Sequence, residues 1–230
     1  TIFFELAFET AKMAHGKGLK NVFVTNGYMS AQALEMVSPY LDAANVDLKA
    51  FTDDFYKNQC GAKLEPVKET LRQMKARNIM VEVTTLLIPG LNDDAEELAG
   101  LTAFIAGELG PETPWHISRF HPTYKMTNVP PTPVSTLRRA QEIGQEEGLR
   151  YVYVGNVPGE ANTLCHECGQ MLIRRSGYWI LENNVRPDGS CPNCGALATN
   201  DGIPGVTGNP EAPREPVTSR PGRRRTTPSS

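Results

Sequence analysis

The chain has 230 residues, with 23 basic and 26 acidic side chains and a formal net charge of −3 at neutral pH. That length accommodates one medium-sized domain with a small appendage, and the slightly acidic balance provides no bulk attraction to nucleic acid. No stretch approaches the ~20 apolar residues of a membrane-spanning helix. No secretory signal is recognisable, so we expect a cytoplasmic protein without membrane association, in which reduced cysteines favour metal thiolates over disulfides.

Helices and strands alternate over the first 155 residues. The predicted helices cover residues 2–17, 30–40, a short segment from 52, 65–77, 93–110 and 133–147. The predicted strands cover residues 21–25, 45–49, 79–87, 116–120 and 151–154. Strands that alternate with helices of this length indicate crossover connections and a parallel sheet. We therefore predict an α/β fold whose functional edge lies at the carboxyl ends of the strands.

Polar residues mark the ends of the first three predicted strands. They are Thr25, Asn26, Asn45, Asp47, Lys49, Glu82 and Thr84. Because side chains alternate along a strand, Asn45, Asp47 and Lys49 share one face of the predicted strand 45–49. An amide, a carboxylate and an amine do not pack against apolar helices, so this face is predicted to line a polar pocket. A solvent-exposed edge strand is the alternative.

Four cysteines near the C-terminus form two Cys-x-x-Cys pairs, each followed by a glycine. The pairs are Cys165 and Cys168, before Gly169, and Cys191 and Cys194, before Gly195. Each glycine allows the chain to curl back so that backbone amides face a metal-bound thiolate. Four sulfurs in this spacing are the ligand set of a structural zinc ribbon. Iron is the alternative metal, and two disulfides or a redox Cys-x-x-Cys are the alternative structures.

The segment between the cysteine pairs predicts a β-hairpin, formed by residues 171–175 and 178–181. Basic and aromatic residues occur together there, as they do in nucleic-acid-binding sites. They are Arg174, Arg175, Tyr178 and Trp179. For an acidic chain we favour the other interpretation, in which the aromatic residues cover a small core, the arginines are solvated and nucleic acid is not a partner.

Three regions follow from these patterns. Residues 1–158 form the α/β domain, residues 159–205 form the ribbon, and the Pro-, Gly- and Ser-rich residues 206–230 form a disordered tail. The fifth cysteine, Cys60, stands alone in the α/β domain, and we expect it to be a small packed side chain.

Four short strings lie at the predicted strand ends. They are Thr25-Asn26-Gly27, Asp47-Leu48-Lys49, residues 87–93 (Leu-Ile-Pro-Gly-Leu-Asn-Asp) and Phe120-His121-Pro122. Their order and spacing resemble the radical S-adenosylmethionine (SAM) superfamily, in particular the relatives of pyruvate formate-lyase activating enzyme. With residues 116–122, 124–126 and 155–159 and the four-cysteine segment, the chain also resembles the AmmeMemoRadiSam system radical SAM enzyme. The resemblance covers about residues 1–205.

The resemblance implies a (β/α)6 partial barrel that binds SAM across the strand tops. The SAM-binding residues that it implies are Thr25, Asn26, Asp47, Lys49, Thr84 and His121. Asp47 and Lys49 are expected to hold the two charged groups of the methionine moiety, and His121 to lie against the bound cofactor. Opposite charges at a fixed spacing suit a zwitterion, which is an independent physical reason for this assignment. Thr84 occupies the position at which activating enzymes carry an arginine.

The cluster ligands of the family have no counterpart in this sequence. Family members hold a [4Fe–4S] cluster with three cysteines spaced Cys-x3-Cys-x2-Cys, and an electron from that cluster cleaves SAM to a 5′-deoxyadenosyl radical. The family places this triad after its first strand, whereas this chain begins at the helix that would follow the second. We therefore expect an incomplete barrel, truncated before Thr1, that lacks its first two strands, has an open edge on strand 21–25 and does not cleave SAM.

For the intact protein the resemblance implies an oxidoreductase or activating-enzyme type of radical SAM enzyme. Its implied partners are a protein substrate, with a glycyl residue as one candidate, and a flavodoxin- or ferredoxin-like electron donor. Two other hypotheses remain open. One is a zinc-ribbon binding module on a non-catalytic α/β scaffold. The other is a phosphate-binding barrel enzyme with Asp47 and Lys49 as acid and base, although no convincing Gly-rich phosphate loop is present.

Overall fold

The computed structural model describes residues 3–157, 161–177 and 179–197. The α/β part has strands β1 Val22–Thr25, β2 Ala43–Asp47, β3 Met80–Leu87, β4 Trp115–Arg119 and β5 Val152–Gly155. Its helices are α1 Phe4–Gly16, α2 Ala31–Val37, α3 Asp53–Phe55, α4 Leu64–Ala76, α5 Ala95–Phe104 and α6 Val134–Glu146. Short 3₁₀ or π turns extend three of them, at Ser38–Tyr40, Tyr56–Cys60 and Ile105–Leu109. Among the residues that the structure describes, no helix is long and apolar enough to cross a membrane.

The five strands form one parallel sheet in the order β1-β2-β3-β4-β5. Each strand pairs with the next one in the chain, and helices occupy the crossovers, as the alternating pattern predicts. Among the described residues β1 pairs with β2 alone. The open edge expected on this strand is therefore present.

The two faces of the sheet differ in polarity, because side chains alternate along each strand. On β3 the side chains of Val81, Val83, Thr85 and Leu87 are buried, and the intervening ones are partly exposed. The buried face packs against the helices, and burial of each large aliphatic side chain contributes about 1.5–3 kcal/mol. The opposite face, here called the polar face, carries Asn45, Asp47, Glu82, Thr84, His116 and Tyr153.

Trp115 anchors the α6 side of the core. It is fully buried, and its indole nitrogen donates a hydrogen bond to Thr85 Oγ1 at 2.9 Å. Gly144 of α6 lies directly over the indole, where an added Cβ would come within 3.0 Å of a ring carbon. The absence of a side chain at Gly144 therefore allows α6 to approach the sheet closely enough to bury the tryptophan.

The boundaries of β2 correct one sequence prediction. The strand covers residues 43–47 rather than 45–49, so Lys49 lies beyond it. Ala43 and Ala44 have low intrinsic strand propensity, but pairing with both β1 and β3 places them in the sheet. The backbone N–H of Lys49 instead donates to the Tyr56 hydroxyl at 3.1 Å.

The cysteine-rich segment forms a separate three-stranded antiparallel sheet. Its strands are β6 Thr163–Leu164, β7 Met171–Ser176 and β8 Trp179–Asn183, in that order. A small core contains Cys165, Leu172, Ile173, Val185 and Cys191. The predicted hairpin is thus confirmed over β7 and β8. The predicted domain boundaries at 158/159 and 205/206, the tail 206–230 and Tyr178 lie outside the described residues.

Three side-chain predictions were wrong. Trp179 is 54% exposed and does not cover the ribbon core, since β8 is an edge strand. Arg175 is partly buried rather than fully solvated, because its guanidinium bonds to residues at the start of the ribbon. Cys60 is exposed rather than packed, because the π turn after α3 carries it to the surface.

Candidate functional site

An ion pair lies at the carboxyl end of β2. Lys49 Nζ is 2.7 Å from Asp47 Oδ2, and about a third of each side chain is exposed, 36% and 31% respectively. A partly exposed pair of this kind contributes only about 0–1 kcal/mol to stability. Both charges can therefore be redirected to a zwitterionic ligand at small cost, and the residues predicted to hold the methionine moiety lie within contact distance of each other.

The turn after β1 contains Thr25 and Asn26, two of the residues that the family resemblance assigns to SAM binding. Thr25 Oγ1 accepts a hydrogen bond from Gly27 N at 3.2 Å, and Asn26 Oδ1 accepts one from Tyr28 N at 3.0 Å. Gly27 has φ +71°, and a Cβ there would lie 2.8 Å from Val46 and 2.9 Å from Val67. Thr25 and Asn26 thus build the turn, and the glycine keeps it close to β2.

Thr84 and His121 differ in how near they lie to this pair. Thr84 is the register partner of Asp47 on β3, and its hydroxyl donates to Asn45 Oδ1 at 2.8 Å. The structure therefore places a neutral donor beside Asp47. His121 is exposed and lies two residues past the end of β4, with β3 between that strand and β2.

Asn92 joins the loops that follow β2 and β3, and the sequence prediction did not include it. This asparagine is only 2% exposed. Its amide nitrogen donates to Lys49 O at 2.6 Å and to Leu86 O at 2.9 Å, and its Oδ1 accepts from Ile88 N at 2.7 Å. The string of residues 87–93 was the available signal, but a pattern of residue types does not show that an amide in a loop is buried.

A second polar group on the same face was also missed. His116 Nε2 lies 3.1 Å from Glu82 Oε2, and Asn45 Nδ2 lies 3.4 Å from the same oxygen. The His116 ring stacks on Tyr153, with ring centroids 5.3 Å apart. Glu82 was among the polar residues expected near the strand ends, but its partners come from neighbouring strands, and their register is not visible in the sequence.

The four ribbon cysteines converge as their spacing predicts. Cys165 Sγ is 3.6 Å from Cys194 Sγ, Cys168 Sγ is 3.7 Å from Cys191 Sγ, and all four sulfurs lie within 4.8 Å of one another. All four thiols are free, which excludes the disulfide alternative in this structure. A tetrahedral ion with bonds of about 2.3 Å to sulfur separates its ligands by about 3.8 Å. The donor set therefore fits a tetrahedral metal.

Each Cys-x-x-Cys-Gly segment, here called a hook, is closed by the same pair of backbone hydrogen bonds. In the first, Gly169 N donates to Cys165 O at 2.9 Å and Cys165 N to Gln170 O at 2.8 Å. In the second, Gly195 and Cys191 make the equivalent bonds at 3.0 and 2.7 Å. Hydrogen bonds from the Asn193 side chain and the Gln170 backbone lower the pKa of the Cys168 thiol to about 6. A thiolate, the form that ligates metals, is thus favoured at this position.

A [4Fe–4S] cluster does not fit the cysteines of this chain. Of the five in the sequence, none forms a Cys-x3-Cys-x2-Cys triad. Cys60 lies in the π turn that follows α3, and the other four form the ribbon site. The cysteines of this chain therefore suit a tetrahedral metal in the ribbon but not the cluster.

Comparison with known sequences supports the family. The sequence model described as the radical SAM superfamily matches residues 2–102. The uncharacterized protein MJ0808 of Methanocaldococcus jannaschii is 48% identical over 177 residues, which cover 76% of this chain and 52% of that protein. The isethionate sulfite-lyase activating enzyme of Nitratidesulfovibrio vulgaris is 33% identical over 88 residues, 37% of this chain and 28% of that enzyme. The chain thus spans about half the length, or less, of these relatives.

Solved structures share the fold. A domain of pyruvate-formate lyase-activating enzyme from Bacteroides vulgatus superposes with a TM-score of 0.59 at 15% identity, over 67% of this chain and 92% of that one. Streptococcus suis SuiB bound to S-adenosylmethionine gives a TM-score of 0.53 at 11% identity, over 64% of this chain and 36% of that one. The family match over residues 2–102 therefore supports a relationship to the radical SAM superfamily, and the solved structures share its fold.

Proposed function

We propose that this chain forms the SAM-binding strand edge of a radical SAM enzyme of the AmmeMemoRadiSam type. The observation that carries the proposal is the 2.7 Å Asp47–Lys49 pair at the carboxyl end of β2. In the proposed complex Lys49 binds the carboxylate of the methionine moiety and Asp47 its ammonium group. Each contact is a charge-assisted hydrogen bond, which contributes about 1.5–3 kcal/mol.

The remaining strand-end residues orient this pair. Asn92 fixes the carbonyl of Lys49, and Thr84 together with Asn45 borders Asp47. Thr25 and Asn26 hold the neighbouring turn in place. His121 is proposed to lie against the bound cofactor, as the family resemblance implies.

The whole enzyme is proposed to abstract a hydrogen atom from its substrate. When SAM and the cluster are bound, they supply a 5′-deoxyadenosyl radical. Because this chain has no cluster triad, we propose that it is a fragment and that the ligating cysteines lie in a part of the protein outside it. The ribbon site is proposed to hold a structural zinc ion.

A protein substrate is proposed on the strength of one relative. The name of the isethionate sulfite-lyase activating enzyme denotes action on another enzyme, and a glycyl residue is the corresponding target. A flavodoxin- or ferredoxin-like protein in the cytoplasm is the proposed electron donor.

Calorimetric titration of the zinc-loaded chain with SAM tests the binding role. We expect Asp47→Ala and Lys49→Ala each to weaken binding about 10- to 100-fold, since loss of one charge-assisted bond corresponds to about 1.5–3 kcal/mol. Lys20 and Asp42 form a matched control pair, also 2.7 Å apart. They lie just before β1 and β2, at the amino ends of the strands and thus away from the candidate site. Equal affinity in the Asp47→Ala and Asp42→Ala variants would exclude the proposed site.

Anaerobic reconstitution with iron and sulfide tests the cluster assignment. We expect the 230-residue chain to give no stable four-iron absorbance and to release no methionine from SAM under a strong reductant. The protein produced from the full coding sequence should do both. A stable cluster and SAM cleavage in the 230-residue chain would contradict the proposal that the ligands lie elsewhere.

A further inference from the structure

Tyr153, on the polar face of the sheet, contacts both a neighbouring strand of the sheet and the ribbon. The Tyr153 ring stacks on His116 at 5.3 Å with an interplanar angle of 26°. Its hydroxyl lies 2.8 Å from Thr163 Oγ1, on the first strand of the ribbon. Tyr153 is thus held by the α/β domain on its ring and by the ribbon at its oxygen.

Arg175 of β7 supports Thr163, the ribbon residue in the Tyr153–Thr163 contact. Its Nη1 donates to Thr163 Oγ1 at 2.8 Å and to Ala161 O at 3.0 Å, and its guanidinium carbon is 5.8 Å from the centre of the Tyr153 ring. Thr163 is two residues before Cys165, the first cysteine of the metal site. The neighbouring Arg174 is directed elsewhere and pairs with Glu182 across the hairpin.

The contacts that run from Arg175 through Tyr153 and His116 end at the ionised carboxylate of Glu82. The hydrogen bond with His116, strengthened by the nearby charges of His116 and Arg175, lowers the pKa of Glu82 despite its partial burial. His116 and Asn45 both bond to Oε2. Among the described residues Oε1 has no hydrogen-bond partner, and a third of the side chain, 34%, remains exposed. One carboxylate oxygen is therefore available to a hydrogen-bond donor on a ligand.

We propose that the ribbon orients the polar face of the sheet, with Thr163 and Arg175 as positioning residues for Tyr153 and, through it, for the His116–Glu82 pair. The ribbon metal, by joining the cysteine pair between β6 and β7 to the pair after β8, would then stabilise the orientation of the His116–Glu82 pair in the sheet. The inference that Glu82 binds an amine or hydroxyl donor of a substrate rests on the proposed function. The coupling between the ribbon and the sheet does not depend on the proposed function.

The test is an NMR spectrum of the zinc-loaded chain labelled with ¹³C-histidine. The sequence has four histidines, and His116→Gln assigns the resonance of interest. Because the Tyr153 ring shifts the proton resonances of the ring stacked on it, any rotation of Tyr153 moves the His116 signals. We expect Arg175→Gln, Thr163→Val and removal of the metal by a chelator each to shift the His116 ring resonances and to leave those of His15, on α1, unchanged.

Arg174→Gln is the matched control, since it removes one arginine from the same strand without touching Tyr153. It should leave the His116 resonances in place. If Arg175→Gln prevents the ribbon from binding metal, Tyr153→Phe decides the question, because it removes the Tyr153–Thr163 hydrogen bond and leaves the Arg175–Thr163 hydrogen bond in place. His116 resonances that superimpose on those of the parent protein in the folded, metal-loaded variants would overturn the proposal, whether or not the enzyme cleaves SAM.

Discussion

The side chain of Asn92 donates a 2.6 Å hydrogen bond to the backbone carbonyl of Lys49, 43 residues earlier in the chain. Through its other two bonds the same side chain satisfies Leu86 O and Ile88 N. One buried amide thus ties the loop that carries the charged end of the candidate site to the end of β3.

We expect Asn92→Ala to destabilise the protein by about 3 kcal/mol, because it leaves buried backbone groups without partners. It should also weaken SAM binding, since Lys49 loses its support. Urea denaturation and calorimetry measure the two effects. Asn128→Ala, at an exposed position, should change stability by less than about 0.5 kcal/mol. An Asn92→Ala variant as stable as the parent would show that the three bonds are replaced without loss.

Gly27→Ala is expected to cost about 2–5 kcal/mol. The positive φ adds about 1–2 kcal/mol for any L-residue, and the clash with Val46 and Val67 adds an overpacking term of about 1–3 kcal/mol. Gly61→Ala separates the two contributions, because Gly61 has φ +61° and no atom within 4 Å of an added Cβ. Thermal unfolding should show a cost near 1 kcal/mol for Gly61→Ala. Equal costs for the two variants would exclude the steric contribution.

The ribbon is expected to bind one metal ion per chain through four sulfurs. Cys165→Ser should abolish stoichiometric metal binding and unfold the ribbon, because its core contains little besides the two buried cysteines and three aliphatic side chains. Elemental analysis and the thiolate-to-cobalt absorption of a cobalt-substituted sample measure this. Cys60→Ser, at an exposed position, is the control and should retain one ion. Full metal occupancy in Cys165→Ser would contradict the four-sulfur site.

Acidification should remove a stabilising contribution of Glu82. The His116 hydrogen bond lowers the Glu82 pKa in the folded state, so the folded protein binds this proton less readily than the unfolded chain does. The contribution is therefore present above the unfolded value of about 4.3 and is lost as the pH falls through the folded value.

The measurement compares the parent protein with Glu82→Gln by urea denaturation between about pH 6 and about pH 3. The stability difference between the two should be largest at the upper end and shrink on acidification. Fluorescence of the buried Trp115, in a Trp179→Phe background, follows the α/β domain without interference from the ribbon. A difference that does not depend on pH would show that Glu82 is not a paired carboxylate.

Local patterns predicted most of the secondary structure, since helix and strand periodicity depend on neighbours a few residues apart. The side chain of Ser30 accepts a hydrogen bond from Ala33 N at the start of α2, as expected of a helix cap. The predicted start of β2 was wrong because its position depends on distant residues. Ala43 and Ala44 are weak strand formers, and their partners on β1 and β3 decide their conformation. Solvent exposure at Cys60 and Trp179 likewise depends on packing that no local pattern contains.

The sequence by itself determined the alternation of helices and strands, the charged residues at the end of β2 and the two hooks of the metal site. Each depends on spacings of a few residues, which the chain carries locally. Only the tertiary structure decided that Asn92 supports Lys49, that His116 pairs with Glu82 and that Arg175 and Thr163 hold Tyr153. These contacts join residues 10 to 43 positions apart, and they arise from strand register and crossover geometry, which depend on the whole core.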